Sequence, residues 1–162
     1  MTLNNTLEKP DNATLILRRV LKAPQELAFQ TWTSAEHIPL WMQPEPGLTI
    51  PFVIMDVRVG GKFRIQMKKA EGDFFTAVGV FKEVKAPERL VYTWQWEKDG
   101  AGEDFGEVEG EPTEITVEFL KRGDQTEMIF MHTRFATEDA RDNHARGWGR
   151  IIDGLARFID KE

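Results

Sequence analysis

The spacing of apolar residues changes along the chain and is most regular near its C-terminus. Between residues 137 and 161 bulky or apolar side chains recur every three or four positions, which predicts one long amphipathic helix. Its predicted stripe consists of Ala140, His144, Trp148, Ile151, Ile152, Leu155, Phe158 and Ile159. Arg141 and the other charged residues are expected to face away from that stripe. Thr137 is the expected N-cap, and one side of the helix needs a partner surface.

Two glycines, Gly147 and Gly149, flank Trp148 inside the predicted helix. Each costs about 1 kcal/mol of helix propensity relative to alanine, so their presence needs a structural reason. We expect the missing side chains to leave space beside Trp148 for another group to approach.

Apolar and polar residues alternate in the middle of the chain, which predicts strands rather than helices. The predicted strands span residues 50–59, 62–68, 74–84, 90–97, 114–121 and 127–135. Residues 99–112 carry many glycines and acidic side chains and are interpreted as a loop, more simply a mobile insertion than a functional flap.

The N-terminal part of the chain predicts a strand and two short helices. Residues 1–13 are polar and are expected to form a flexible lead, and residues 14–22 form the first strand. Pro24 suits the first turn of a helix, and Thr33 with Glu36 has the spacing of a capping box for a second short helix that begins at Ser34 and ends near Pro39. Residues 40–47 contain two prolines with Trp41 and Met42, which predicts a loop packed on an apolar surface.

These elements predict an α+β domain over residues 14–162. Short connections make neighbouring strands antiparallel, and a sheet with one apolar face needs a cover, which the C-terminal helix can provide. A strongly twisted sheet curved around one helix leaves a space between them unless side chains fill it. That space is the candidate binding site.

Composition narrows the possible functions. A chain of 162 residues without cysteine has no disulfides or thiolate metal sites, and the cytoplasm is the expected location. No apolar segment is long enough to span a membrane, and the N-terminus lacks the features of a signal peptide. The net charge of −6 opposes binding to nucleic-acid phosphates.

A resemblance to a known family rests on an ordered set of short motifs. They are the motifs at residues 19–24, 32–33, 41, 56–63, 79–81, 87–94 and 147–148. Together they resemble the family named for the activator of the heat-shock protein 90 ATPase, within the START-like, birch-pollen-allergen-like (SRPBCC) superfamily. The resemblance implies a helix-grip fold, with a sheet of about seven antiparallel strands around the last helix and an internal cavity that relatives use for lipids, hormones or polyketides.

Few residues suggest chemistry. His144 lies on the helical stripe and could act as an acid or base in the cavity, although a histidine satisfied within the core is the commoner case. Arg19 and Asp56 could form a buried ion pair that fixes the sheet, but a purely structural pair or two solvent-facing groups explain them at least as well. No cluster of side chains has metal-ligand spacing and no phosphate loop occurs, so no metal or other cofactor is expected.

The favoured hypothesis is a protein that binds a small hydrophobic molecule, with a homodimer possible and with neither a nucleic-acid nor a membrane partner. One alternative is a cyclase-like or hydrolase-like enzyme in which His144 acts with Tyr92, and another is a co-chaperone-like interaction protein. The residues predicted to line the cavity are Trp32, Trp41, Phe63, Ile65, Phe75, Tyr92, Trp94, Phe119, His144, Trp148 and Ile152. For any single aromatic residue, simple core packing is the commoner role.

Overall fold

The protein, seen here as a computed structural model, is described over residues 5–99, 102 and 104–160. The strands are β1 (Thr6–Asp11), β2 (Thr14–Leu21), β3 (Thr49–Met55), β4 (Lys62–Lys68), β5 (Phe74–Lys85), β6 (Arg89–Glu97), β7 (Val108–Arg122) and β8 (Gln125–Thr133). The helices are α1 (Gln25–Thr33), α2 (Ile38–Trp41) and α3 (Glu138–Asp160). All neighbouring strands are antiparallel, in the order β1-β2-β8-β7-β6-β5-β4-β3. The α+β helix-grip architecture is confirmed, with eight strands among the described residues instead of seven.

The additional strand is β1, which lies in the segment expected to be a flexible lead. That expectation is wrong for residues 6–11, and residues 1–4 lie outside the described part of the chain. All six residues of β1 are exposed, so no alternation of buried and exposed positions marks the strand in the sequence. β1 is held by its pairing with β2 and by an ion pair of 2.9 Å between Lys9 and Asp142 at the start of α3.

The inner face of the sheet packs against α3 as the alternation predicts. In β4, Phe63, Ile65 and Met67 are buried in the main core. Their cross-strand partners on β5 are Gly79, Ala77 and Phe75. Helix α3 contributes Trp148, Ile151, Ile152 and Leu155 to the same core, so the helix and the inner face form one apolar layer.

The start of α3 follows one prediction and contradicts another. The Ala140 N–H donates to Thr137 Oγ1 at 3.0 Å, which confirms the N-cap. Arg141, expected to face away, is buried, and its Nη1 donates to the Asp11 carbonyl at 2.6 Å. The first turns of α3 pack against the β1–β2 turn, where a long polar side chain can satisfy a backbone carbonyl.

The second helix begins four residues later than predicted. Thr33 ends α1 and donates its hydroxyl proton to the Phe29 carbonyl at 2.8 Å, so it does not cap a following helix. Residues 34–37 form a turn, and α2 then begins at Ile38. Trp41 at the end of α2 and Met42 are buried, as the predicted packing of this segment requires.

One further sequence-based boundary and one suggested ion pair differ in the structure. β3 ends at Met55 because residues 56–61 form a turn, in which the Gly60 N–H donates to the Phe81 carbonyl at 2.8 Å. The suggested pair between Arg19 and Asp56 does not form. Arg19 instead contacts Asp153 of α3 at 2.8 Å, and Asp56 contacts Arg58 at 2.8 Å.

The acidic segment covers part of the outer face of the sheet. The Gly102 carbonyl accepts hydrogen bonds from Arg64 at 2.6 Å and from Gln66 at 3.1 Å, and the Gly106 N–H donates to Glu97 at 3.0 Å. β7 already begins at Val108 within this segment. The interpretation as a loop is therefore wrong for residues 108–112, which belong to β7, while residues 100, 101 and 103 lie outside the described part.

Candidate functional site

A pocket opens between the inner face of the sheet and the N-terminal half of α3. Its volume is about 280 Å³. The sheet side is formed by Met67, Phe75, Trp94 and Trp96, and the helix side by His144, Gly147, Trp148 and Ile151. Pro44 and Glu45 of the loop after α2 lie at its edge together with Asn143, Arg146 and Arg150 of α3.

Aromatic rings that contact one another form a connected part of the pocket wall. The rings of Trp94 and Trp148 lie 4.9 Å apart, and those of Trp94 and Trp96 lie 5.5 Å apart in an edge-to-face arrangement. Phe75 packs against Trp96 at 5.4 Å. These contacts hold the rings in fixed orientations and present a continuous apolar surface to the pocket.

Farther inside, a second void has a volume of about 20 Å³, roughly that of one water molecule. Trp94 and Trp148 line both spaces, so their rings separate the open pocket from the void. The space that the sequence predicts between sheet and helix is thus filled mainly by side chains, and only its outer end is open.

The predicted lining residues divide into three groups. The open pocket is lined by Phe75, Trp94, His144 and Trp148. The small void is lined by Trp32, Phe63, Ile65 and Tyr92, with Trp94 and Trp148. Trp41, Phe119 and Ile152 line neither and are buried in the core, where Trp41 stacks on Trp32 at 5.2 Å and Phe119 meets Phe29 at 5.8 Å.

Tyr92 is a core residue with one polar contact. The indole N–H of Trp32 donates to the Tyr92 hydroxyl oxygen at 3.2 Å. Burial raises the pKa of Tyr92 well above its ordinary value, and the hydrogen bond from Trp32 opposes that rise only in part. Tyr92 therefore stays protonated at every physiological pH, and it lines the small void instead of the open pocket.

His132 is a polar residue near the pocket that the sequence analysis did not identify as a candidate site residue. It is fully buried on β8, on the same strand face as Met128 and Phe130. The alternation of apolar residues along this strand is the sequence signal that could have predicted its burial. The indole N–H of Trp148 donates to His132 Nδ1 at 3.1 Å. Because an indole nitrogen can only donate, Nδ1 must be unprotonated and the ring neutral.

The other ring nitrogen of His132 completes a hydrogen-bonded chain. Thr113 donates its hydroxyl proton to the Trp94 carbonyl at 2.8 Å, so His132 Nε2–H must donate to Thr113 Oγ1, 2.7 Å away. Desolvation by burial, with a smaller contribution from His144, lowers the pKa of His132 well below its ordinary value. His132 thus fixes the orientation of the Trp148 ring at the back of the pocket.

His144 lines the pocket, but both of its ring nitrogens are engaged. Nδ1 lies 2.8 Å from the Ala140 carbonyl and must donate to it, and Nε2 accepts from the indole N–H of Trp96 at 3.1 Å. Burial lowers the pKa of His144, although the hydrogen bond to Ala140 opposes that shift. His144 is therefore neutral and supports the position of Trp96.

The two histidines predict a loss of stability in mild acid. Their folded-state pKa values lie below the ordinary value of about 6.5, so the unfolded chain binds more protons once the pH falls below that value. Each histidine should lower the free energy of unfolding by up to about 1.4 kcal/mol per pH unit until its folded-state pKa is reached. Urea unfolding at pH 7.5, 6.5 and 5.5 measures this slope.

His132→Gln is the control for this prediction, since an amide can accept from Trp148 and donate to Thr113 without titrating. The loss of stability between pH 6.5 and 5.5 should be smaller by about 1 kcal/mol in this variant, whatever its stability at pH 7.5. An unchanged slope would show that His132 does not titrate differently in the folded and unfolded protein.

The part of the chain that the structure describes contains neither a candidate metal site nor a candidate membrane-spanning helix. No three histidine or acidic side chains in residues 5–99, 102 and 104–160 lie close enough together to hold a metal ion. Over the same residues, no helix has both the length and the hydropathy needed to cross a membrane.

The comparison with protein families agrees with this architecture. The model of the Activator of Hsp90 ATPase homolog 1-like protein family, AHSA1, matches residues 22–160. The chain belongs to this family. The match includes both walls of the pocket and its mouth, so the pocket lies entirely within the AHSA1-like domain and its SRPBCC fold.

Solved structures from several bacteria share the AHSA1-like fold. A protein from Nitrosomonas europaea is 25% identical, with 94% of this chain and 97% of that chain covered and a TM-score of 0.75. The AHSA1 protein from Silicibacter pomeroyi is 23% identical over 90% and 96%, with a TM-score of 0.76. A protein from Rhodobacter sphaeroides is 20% identical over 98% and 99%, with a TM-score of 0.81. No curated protein matches this chain.

Proposed function

We propose that this AHSA1-like protein binds a small, largely hydrophobic molecule in the pocket between β4–β6 and α3. The observation that supports this most directly is a pocket that is open at the surface and lined by packed aromatic rings. Binding pockets for drug-sized ligands have volumes of roughly 300–1,000 Å³. A pocket of about 280 Å³ favours a ligand at or below the small end of that range.

The two alternatives have less support. An acid or base at residue 144 would have to break a hydrogen bond to Trp96 or Ala140 before exchanging a proton with a substrate. Tyr92, the second residue of that hypothesis, is separated from the pocket by the rings of Trp94 and Trp148. A co-chaperone-like role is suggested by the family name, and no surface formed by the described residues specifically favours it.

Gly147 offers a direct test of binding in this pocket. It is a pocket-lining position on α3, and a Cβ added there would meet Pro44 Cβ at 3.6 Å, an ordinary contact. Gly147→Leu should therefore fold and should place its longer side chain in the pocket mouth. We expect the affinity for the neutral probe N-phenyl-1-naphthylamine, measured by its fluorescence, to fall at least about tenfold, a loss of about 1.4 kcal/mol.

Gly149→Leu is the matched control, because Gly149 lies on the same helix but does not line the pocket. A Cβ there would meet Asn5 at 3.9 Å. Both variants gain helix propensity, so neither should lower the unfolding midpoint substantially. Equal affinities in the wild type and both variants would contradict binding in this pocket, as would an absence of probe binding to the wild type.

A further inference from the structure

The arginines of this protein fall into two groups according to their ion pairs. Eight of them contact a carboxylate within 4.0 Å. Arg146, Arg150 and Arg157 have no such partner among the described residues, and all three lie on α3. Two of them, Arg146 and Arg150, are at the mouth of the pocket.

The pocket mouth therefore has an excess of positive charge on a protein whose net charge is −6. Arg146 and Arg150 face one carboxylate there, that of Glu45, and no ion pair joins Glu45 to either arginine. The remaining titratable group of the lining, His144, is neutral. An anion at the mouth would thus meet two cations and one negative charge.

Arg146 and Arg150 are separated by one helical turn, so both side chains can reach the same ligand group. Arg146 donates to Asn143 Oδ1, and Arg150 donates one N–H to the Pro44 carbonyl at 3.3 Å. Each guanidinium has five N–H donors, which leaves most of them available. Planar guanidinium groups match the geometry of a carboxylate, to which they can donate two parallel hydrogen bonds.

The inner part of the pocket specifies the other end of the ligand. The rings of Phe75, Trp94, Trp96 and Trp148 offer faces and edges for stacking. A volume of about 280 Å³ suits one or two fused rings better than a long acyl chain. The apolar group and the anion would then lie at opposite ends of one compact molecule.

We propose that the ligand is a compact aromatic carboxylate, with its ring between Trp94, Trp96 and Trp148 and its carboxylate bound by Arg146 and Arg150. This inference rests on the proposed function and adds the charge and shape of the ligand. Arg157, which lies outside the pocket lining, takes no part in the recognition.

The test compares 2-naphthoate with its neutral isostere 2-naphthamide by isothermal titration calorimetry. We expect 2-naphthoate to bind at least about tenfold more tightly at low salt, and the difference to shrink as the salt concentration rises. The double variant Arg146→Gln/Arg150→Gln should bind both compounds with the affinity of the wild type for the amide. Arg157→Gln is the matched control and should keep the preference for 2-naphthoate.

Glu45→Gln provides a test with the opposite sign. Removing the one carboxylate of the mouth should strengthen the binding of 2-naphthoate and leave that of 2-naphthamide unchanged.

Laurate tests the requirement for an aromatic ring, because it carries the same carboxylate on a flexible acyl chain. It should bind more weakly than 2-naphthoate.

The outcomes separate the two proposals. Equal affinities for 2-naphthoate and 2-naphthamide in the wild type would overturn the anionic class while supporting hydrophobic binding. Tighter binding of laurate than of 2-naphthoate would overturn the aromatic class. A preference for 2-naphthoate that survives in Arg146→Gln/Arg150→Gln would overturn the role of the arginines. Binding of none of the three compounds, nor of N-phenyl-1-naphthylamine, would overturn the proposed function itself.

Discussion

Replacing Glu97 by alanine is expected to lower the free energy of unfolding by about 3–5 kcal/mol, the cost of leaving a buried charge without its partner. That charge belongs to Arg64, whose side chain is 0% exposed, while that of Glu97 is 2% exposed. Two hydrogen bonds of 2.9 Å join the guanidinium to the carboxylate. Urea unfolding of the wild type and Glu97→Ala at pH 7.5 measures the effect.

The charge state of Glu97 supports this expectation. Burial alone would raise the pKa of Glu97, but the hydrogen bonds from Arg64 and from the Gly106 N–H, with the positive charge of Arg64, hold it below its ordinary value. The carboxylate is therefore ionised at neutral pH, and the folded protein depends on the complete pair. This contribution to stability is lost only when the pH falls through the lowered folded-state pKa.

The double variant Arg64→Met/Glu97→Leu is the control. It distinguishes the cost of leaving the Arg64 charge buried without a partner from the cost of losing the ion-pair interaction itself. Replacing both members of a buried ion pair by apolar residues is often neutral or stabilising, so this variant should be much more stable than Glu97→Ala. Equal losses in the two variants would mean that Arg64 is not stranded by Glu97→Ala. A loss below about 1 kcal/mol in Glu97→Ala would mean that the pair behaves like an exposed one.

Local patterns in the sequence predicted the elements whose neighbours are close in the chain. The alternation of Phe63, Ile65 and Met67 identified the inner face of β4, and the Thr137 cap marked the start of α3. β1 could not be found in this way, because an edge strand with both faces exposed has no apolar period. Its stability comes from backbone pairing and from contacts with α3, more than a hundred residues later.

The outer face of β4 shows a second limit of the pattern. Arg64 and Gln66 occupy the positions that alternation assigns to solvent, yet both are buried. The group that covers them is the acidic segment, whose Gly102 carbonyl accepts from both side chains. A segment that reads as a solvated loop can act as a cover when its backbone satisfies buried donors.

The sequence predicted the position of the candidate site, but it did not predict how much of the space between the sheet and α3 is open. The sequence placed the site between the sheet and α3, where Trp94 and Trp148 do form the back wall of the pocket. How much of that space stays open depends on how side chains from distant strands interlock, and periodicity does not contain this information. The hydrogen bond from Trp148 to His132 likewise depends on the register between α3 and β8.

The second large effect on stability is expected from a substitution at Gly154 of α3. A Cβ at Gly154 would lie closer than 3.0 Å to the Trp41 carbonyl oxygen at the end of α2, a separation that real Cβ atoms essentially never show. This is the close approach that the sequence analysis assigned to Gly147 and Gly149. At those two positions an added Cβ would meet nothing nearer than 3.6 Å and 3.9 Å.

Gly154→Ala should therefore lower the free energy of unfolding by about 1–3 kcal/mol, because α2 and α3 must move apart and the stacked rings of Trp41 and Trp32 move with them. Gly147→Ala and Gly149→Ala are the matched controls, and each should raise that free energy by up to about 1 kcal/mol through helix propensity alone. Urea unfolding of the three variants decides between these signs. A stabilised Gly154→Ala would mean that α2 yields without cost and that the contact between Gly154 and Trp41 does not fix the distance between the helices.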